Sequence, residues 1–208
     1  MSAQLSKPGT SSTVRTFLAV ELPDSLKVEL STLQTFFAGD ASPLKWTAPR
    51  LLHITVRFLG NMRQTRLPDV EAAARAGAGQ TTPFTLQLSG LGAFPNEHSP
   101  RVIWVGLEHD AGYAELQKLF SFTEDALSTR GFGREERAFA PHVTLARTRE
   151  NASRAEMRAI GENLQKVKAH SNIQAHWRVQ ELVVMRSDLS VAGPKYTPLA
   201  AVPLSADG

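Results

Sequence analysis

Two short stretches of the chain carry residue types able to move protons and grip an anion at a common spacing: His53-Ile54-Thr55-Val56 and His142-Val143-Thr144-Leu145. With 6 His in the chain, one His-x-Thr is expected by chance roughly 0.5 times, and two copies with apolar residues at the second and fourth places well under 1% of the time. Side chains alternate between the two faces of a strand. His53 and Thr55 therefore share one face and Ile54 and Val56 the other, and the second motif repeats this arrangement. Two imidazoles and two hydroxyls converging on one volume suit phosphodiester chemistry. One neutral imidazole takes a proton from the attacking oxygen and an imidazolium returns one to the leaving oxygen. A group of pKa about 6.5 serves both tasks near neutral pH. Hydroxyls donate to the non-bridging oxygens, where negative charge lies in the transition state. Two histidines are too few for zinc, and neither motif has a nearby carboxylate at helical ligand spacing, so no metal and no cofactor is expected.

Composition bounds the rest. The chain has 208 residues, 42% apolar and 21% charged, with no cysteine. A single domain with a sizeable core fits this length, while wholesale disorder, disulfides and thiolate catalysis do not. No apolar run approaches the ~18 residues of a membrane span, and Met1–Thr13 has no signal-peptide order. A cytoplasmic protein that does not enter membranes is expected. The formal net charge is +3, and the 23 basic residues divide into 16 Arg and 7 Lys, a skew that permits a phosphate-bearing partner because the guanidinium grips phosphate oxygens in pairs.

The elements that must position the motifs alternate between periods of two and 3.6 residues. After a loose tail over residues 1–13, strands are expected at Thr16–Leu22, Leu52–Leu59, Phe84–Leu91, Arg101–Leu107, His142–Arg147, Ile173–Val179, Glu181–Ser187 and Tyr196–Val202. Helices follow Pro23-Asp24-Ser25, run from Leu67 to Ala78, and carry the stripes Tyr113, Leu116, Leu119, Phe120, Leu127 and Met157, Ile160, Leu164, Val167. Gly60-Asn61 is expected to end the second strand. The halves keep register: His53 and His142 are 89 residues apart, as are Phe84 and Ile173, the starts of the third strands. Strand–helix–strand–helix–strand occurring twice predicts a duplicated unit whose two lobes face one another across a pseudo-twofold axis.

The sequence resembles the 2H phosphoesterase superfamily, and within it the bacterial RNA 2′,3′-cyclic phosphodiesterase (2′-5′ RNA ligase) branch. Besides the two motifs, Phe17–Pro23, Arg57-Phe58-Leu59-Gly60, Pro141, Ala146-Arg147, Leu182–Ser187 and Tyr196 carry the likeness, from Arg15 to Leu204. The resemblance implies an α+β fold, a single bilobal domain over residues 14–208 with two antiparallel sheets and flanking helices around a central cleft. It implies metal-independent hydrolysis of RNA 3′ ends bearing a 2′,3′-cyclic phosphate, or of cyclic nucleotides, to a 2′-phosphate, reversible in principle as ATP-independent 2′-5′ ligation. By that analogy His53 gives the proton to the departing 3′ oxygen, His142 activates water, Thr55 and Thr144 hold the phosphate, and Arg57 and Arg147 add cationic contacts. Strand parity places Arg57 on the face of His53, but Arg147, five residues after His142, on the wrong face unless a bulge turns it.

Trp46, Phe139 and Tyr196 are candidates to stack a nucleobase. His98, His109, His170 and His176 have no convergent partner, and Arg134-Glu135-Glu136-Arg137 reads as a solvated loop, at most a rim that nucleic acid passes. No exposed apolar helix face stands out, so a monomer is expected. Two other readings share the same residues: a nucleotide-binding module without turnover, and a 2H phosphoesterase acting on small nucleotides or 2′-5′ oligoadenylate. Retention of both acid–base histidines speaks against the first; the second differs only in the walls of the cleft.

Overall fold

The computed structural model describes residues 12–37, 43–171, 173–191 and 193–205. The expected tail thus falls, up to Ser11, outside the described residues. Thirteen strands and helices follow: β1 (Thr13–Glu21), α1 (Asp24–Thr35), β2 (Leu44–Trp46), β3 (His53–Arg63), α2 (Leu67–Ala78), β4 (Phe84–Phe94), β5 (Val102–Leu107), α3 (Ala111–Ser128), β6 (Val143–Thr148), α4 (Arg154–His170), β7 (His176–Val179), β8 (Glu181–Ser190) and β9 (Gly193–Pro203). Single 3₁₀ turns lie at Pro49–Leu51 and Gln64–Arg66.

The helices begin where local chemistry starts them. Ser153 and Glu156 form a reciprocal capping box on α4, and the Asp110 side chain accepts from Tyr113 N at the start of α3. α1 buries Leu26, Leu30 and Leu33 at helical spacing, each contributing about 1.5–3 kcal/mol when fully buried. The α3 and α4 stripes also pack inward.

Strand order is β7-β4-β5-β6-β3-β1-β8-β9, with β2 paired to β6, and every pairing is antiparallel. The expected α+β architecture of two antiparallel sheets is therefore present: β7-β4-β5-β6-β2 forms one and β3-β1-β8-β9 the other. Among the described residues they join through a single register position, Ile54 opposite Val143. Helices cover one face, over the main core around Leu18, Ile54, Leu86, Ile103, Leu116 and Leu145. On the opposite face, Phe17, Ala19, Val183 and Met185 form a second small cluster with Tyr196 against it.

Two expectations need correction. The symmetry mate of β4 is β8, not the stretch Ile173–Val179: β4 lies beside β5 and β8 beside β1, whereas β7 is a four-residue edge strand on β4. Each half of the chain thus donates its third strand to the other half's sheet. Gly60 does not end β3. It takes φ +68° beside a register shift in which Leu59 is skipped by β1, and the strand runs on to Arg63. A left-handed residue inside a strand is the mark of a bulge and favours glycine there.

Candidate active site

The two motif strands meet at the centre of the molecule. In an antiparallel pair, the residue before one partner lies opposite the residue after the other. With Ile54 opposite Val143, His53 lies beside Thr144 and Thr55 beside His142. Ile54 and Val143 are fully buried, while the four motif side chains are half-buried on the other face. An approximate twofold axis through the Ile54–Val143 pair interchanges the motifs, in keeping with the duplicated sequence pattern.

The rings are held alike. His53 Nδ1 donates to Leu51 O at 2.7 Å and His142 Nδ1 to Ala140 O at 2.7 Å. A carbonyl only accepts, so each neutral ring carries its proton on Nδ1 and leaves the Nε2 lone pair for chemistry. His53 Nε2 lies 3.1 Å from Thr55 Oγ1, whose hydroxyl can donate to it. Both imidazoles are held below their ordinary pKa. Burial is the main cause at His53, reinforced by the positive charges of His142, Lys27 and Arg147; at His142 it is burial and then Arg147. The charge of His142 acting on His53 accords with the Ile54–Val143 register, which brings the two rings to one face.

A bulge follows each motif and decides which arginine reaches it. On β3, Leu18 pairs with Arg57 and Ala19 with Thr55, so Val56 is skipped. On β6, Ile103 pairs with Ala146 and Trp104 with Thr144, so Leu145 is skipped. Each extra residue reverses the parity of everything beyond it. Arg147 is thereby turned to the exposed cleft face, where its charge depresses His53, His142 and Tyr196. The conflict between parity and resemblance at Arg147 is resolved by this bulge.

Arg57 is corrected by the same rule. Its side chain turns inward and is only 10% exposed. It donates from Nε to Glu124 of α3, from Nη1 to Phe58 O at 2.7 Å and Glu135 at 3.2 Å, and from Nη2 to Gly133 O at 2.5 Å. Glu124 also accepts from Glu135 N at 2.8 Å. Arg57 therefore anchors the segment leading to the second motif and does not line the cleft. Glu135 faces this anchor, unlike the purely solvated loop expected, and its carboxyl sits below the usual range through Arg137 first and Arg57 after it. The symmetry mate of Arg147 is Phe58, 38% exposed and stacked on Phe17 at 5.9 Å.

Aromatic rings wall both sides. Tyr196 stands edge-on to His53 at 5.3 Å and to Phe17 at 4.9 Å, and burial raises its hydroxyl pKa. On the other side, Phe94 stands edge-on to His142 at 5.0 Å and Trp104 lies 6.2 Å from it. A Cβ on Gly92 would come within 2.3 Å of the Trp104 ring, so glycine there lets the indole lie against β4. A cavity of about 490 Å³ opens beside His142, lined by Phe94, Trp104, His109, Tyr113, Phe139 and Lys168 among others. Phe139 belongs to this wall and stacks on Phe120 with centroids 4.2 Å apart. Trp46 is not at the cleft; it packs toward Phe37 and the main core.

Sequence reasoning misses Arg15, Phe17, Phe58, Phe94, Trp104 and Gln34. The Arg15 guanidinium lies 4.8 Å over the Phe58 ring, and its charge reaches Tyr196. Buried Gln34 donates to Leu145 O at 3.0 Å and Thr47 O at 2.9 Å, and Thr47 N donates to Leu145 O at 2.8 Å, so the carbonyl at the second bulge is doubly satisfied. The 89-residue offset applied to Arg147 does find Phe58; nothing in the sequence points to the others.

Comparison with known proteins fits this geometry. The profile of the 2′-5′ RNA ligase superfamily matches residues 22–190. The chain belongs to that superfamily. A protein of Methanothermobacter thermautotrophicus named RNA 2′,3′-cyclic phosphodiesterase is 32% identical over 186 residues, covering 89% of this chain and 96% of the relative. The crystal structure of TT0787 of Thermus thermophilus superposes with a TM-score of 0.69 at 28% identity, over 93% of this chain and all of that one. Escherichia coli LigT complexed with 3′-AMP gives 0.71 at 22% identity over 93% of this chain and 99% of that one, a likeness of fold. The two-sheet α+β fold and the 2H phosphoesterase membership implied by the motifs are thus both found.

Proposed function

We propose that the chain hydrolyses the 2′,3′-cyclic phosphate at RNA 3′ ends to a 2′-phosphate, with His53 and His142 as acid and base. The observation that carries this reading is the Ile54–Val143 bridge, which sets one His-Thr pair against the other on a single face. The shared name of superfamily members such as the M. thermautotrophicus relative supports the substrate class.

A cyclic phosphate seated between the rings has one Nε2 on each side of phosphorus, the arrangement an in-line displacement needs. His142 Nε2 removes a proton from water as its oxygen bonds to phosphorus. The bond from phosphorus to the 3′ oxygen breaks, and protonated His53 delivers its Nε2 proton to that oxygen. The phosphate stays on the 2′ oxygen, and His142 carries the proton that solvent exchange returns to His53. Thr55 and Thr144 donate to the non-bridging oxygens, and Arg147 faces the charge that accumulates there. Tyr196 and Phe139 offer aromatic walls to the terminal nucleoside. The bound phosphodiester anion also stabilises an imidazolium that burial and Arg147 disfavour in the free protein.

The decisive experiment incubates the protein with an RNA ending in a 2′,3′-cyclic phosphate, with and without EDTA, and identifies the product isomer. A 2′-phosphate formed equally with chelator is expected. A 3′-phosphate overturns the assignment of the leaving oxygen, loss of turnover in EDTA overturns the two-histidine scheme, and binding without turnover leaves a nucleotide-binding module.

A further inference from the structure

Lys45 on β2 is paired across the sheet with Arg147 on β6. Cross-strand partners project from the same face, so the Lys45 ammonium stands beside Arg147, while Leu44 and Trp46 on the other face pack against the core. Both cations are exposed, and among the described residues neither has a hydrogen-bond or ion-pair partner. Arg66, Arg75, Arg134 and Arg186 each meet a carboxylate within 3.0 Å, whereas Lys45 and Arg147 face each other with none among the described residues. Like charges placed directly opposite one another destabilise a sheet, so this uncompensated pair costs stability until an anion arrives. In the reading above Arg147 serves the reacting phosphate, which leaves Lys45 for a second anion. Arg147 lies five residues along β6 from His142, and Lys45 sits on the neighbouring strand opposite it, extending the same face away from the histidines.

We propose that Lys45 binds the internucleotide phosphate on the 5′ side of the terminal nucleotide, so that an oligoribonucleotide end is selected over a cyclic mononucleotide. The inference rests on the phosphodiesterase reading above and adds the length of substrate that the site measures. A single flexible ammonium suits this task, since a backbone phosphate is met as a point charge and carries no sequence information.

The test compares kcat/KM for a 2′,3′-cyclic mononucleotide with that for a dinucleotide ending in the same cyclic nucleotide, in the wild type, Lys45→Gln and Lys45→Arg. The wild type is expected to favour the dinucleotide, and Lys45→Gln to reduce that preference about 10-fold, mainly through KM, with Lys45→Arg retaining most of it. A dinucleotide with an uncharged methylphosphonate linkage should behave like the mononucleotide in all three proteins. Equilibrium binding of a 3′-phosphorylated dinucleotide and of a 3′-mononucleotide gives a readout independent of turnover. There the salt dependence should fall by about 0.7 in log–log slope when Lys45 is replaced. A wild-type preference near one, or a loss in Lys45→Gln equal for one and two nucleotides, overturns the proposal. Failure of turnover with preserved discrimination in binding sinks the hydrolytic reading instead.

Discussion

Val56 and Leu145 occupy equivalent places: each is the fourth residue of its His-x-Thr-x motif, and each is skipped by the strand alongside. The alternation that aligns histidine with threonine therefore stops one residue after the threonine in both lobes. Beyond that point the strands are turned over, so that Arg57 goes to the interior and Arg147 to the cleft. The two arginines thus take the faces opposite to those that strict alternation gives them.

Replacement of these arginines should separate activity from stability. Arg147→Gln is expected to lower kcat/KM about 10²-fold with a melting temperature no lower than the wild type's, since it also relieves the repulsion from Lys45. Arg57→Met leaves Glu124 without its buried partner, and breaking one side of such a pair costs about 3–5 kcal/mol. Parallel steady-state kinetics and denaturant titrations check this; equal activity losses without a stability difference would contradict the placement of Arg57.

His53→Ala and His142→Ala are each expected to reduce kcat by about 10²–10⁴, while affinity for a 3′-nucleotide changes far less. The double variant should be little worse than either single one, because acid and base act in one step. Single-turnover rates and calorimetric titration measure the two quantities, and a fully active single variant removes that histidine from the mechanism.

The pH dependence derives from the lowered imidazoles. The singly protonated form peaks between the two macroscopic pKa values, so kcat/KM should have its optimum below the ordinary imidazole value of about 6.5. In the complex the phosphate anion raises both values, and the kcat optimum should lie at higher pH. Stability runs the other way from protonation. The unfolded chain binds protons first, so folding free energy holds above pH of about 6.5 and declines as the pH falls toward the folded-state values. Urea titrations from about pH 7.5 down to about pH 5 should show that slope, flattened in His53→Gln and His142→Gln.

Gln34→Leu removes the amide that bonds Leu145 O and Thr47 O. Thr47 N still serves the bulge carbonyl, so the expected cost is about 1–2 kcal/mol. The variant should also raise KM more than it lowers kcat, because the bulge that aims Arg147 is loosened while the histidines keep their carbonyl anchors. Denaturant titration and steady-state kinetics on the same preparation measure both effects.

The proposed catalytic quartet is legible in the sequence because His and Thr sit two apart in strands, and local alternation alone sets their common face. α2 lies where the sequence places it, at about Leu67 to Ala78, because helical periodicity is also local even when the stripe is weak and Ala-rich. Arg57 defeats the same reasoning because a bulge is decided by the partner strand. At the equivalent position β6 has Ala146, whose run Leu145-Ala146 betrays the break in alternation, whereas a charged residue after Val56 conceals it. The third-strand exchange is invisible for the same reason: β7 and β8 are both credible strands, and only pairing across the chain tells which one lies beside β1.

Because β4 completes the sheet of the second motif and β8 that of the first, neither half-chain can close on itself. Cut in the loop at Asn96–Pro100, the protein would yield two fragments with raw hydrogen-bonding edges, each missing what the other holds. The chain is built like a pair of hands with interlaced fingers, and such fragments should gain folded structure only when mixed.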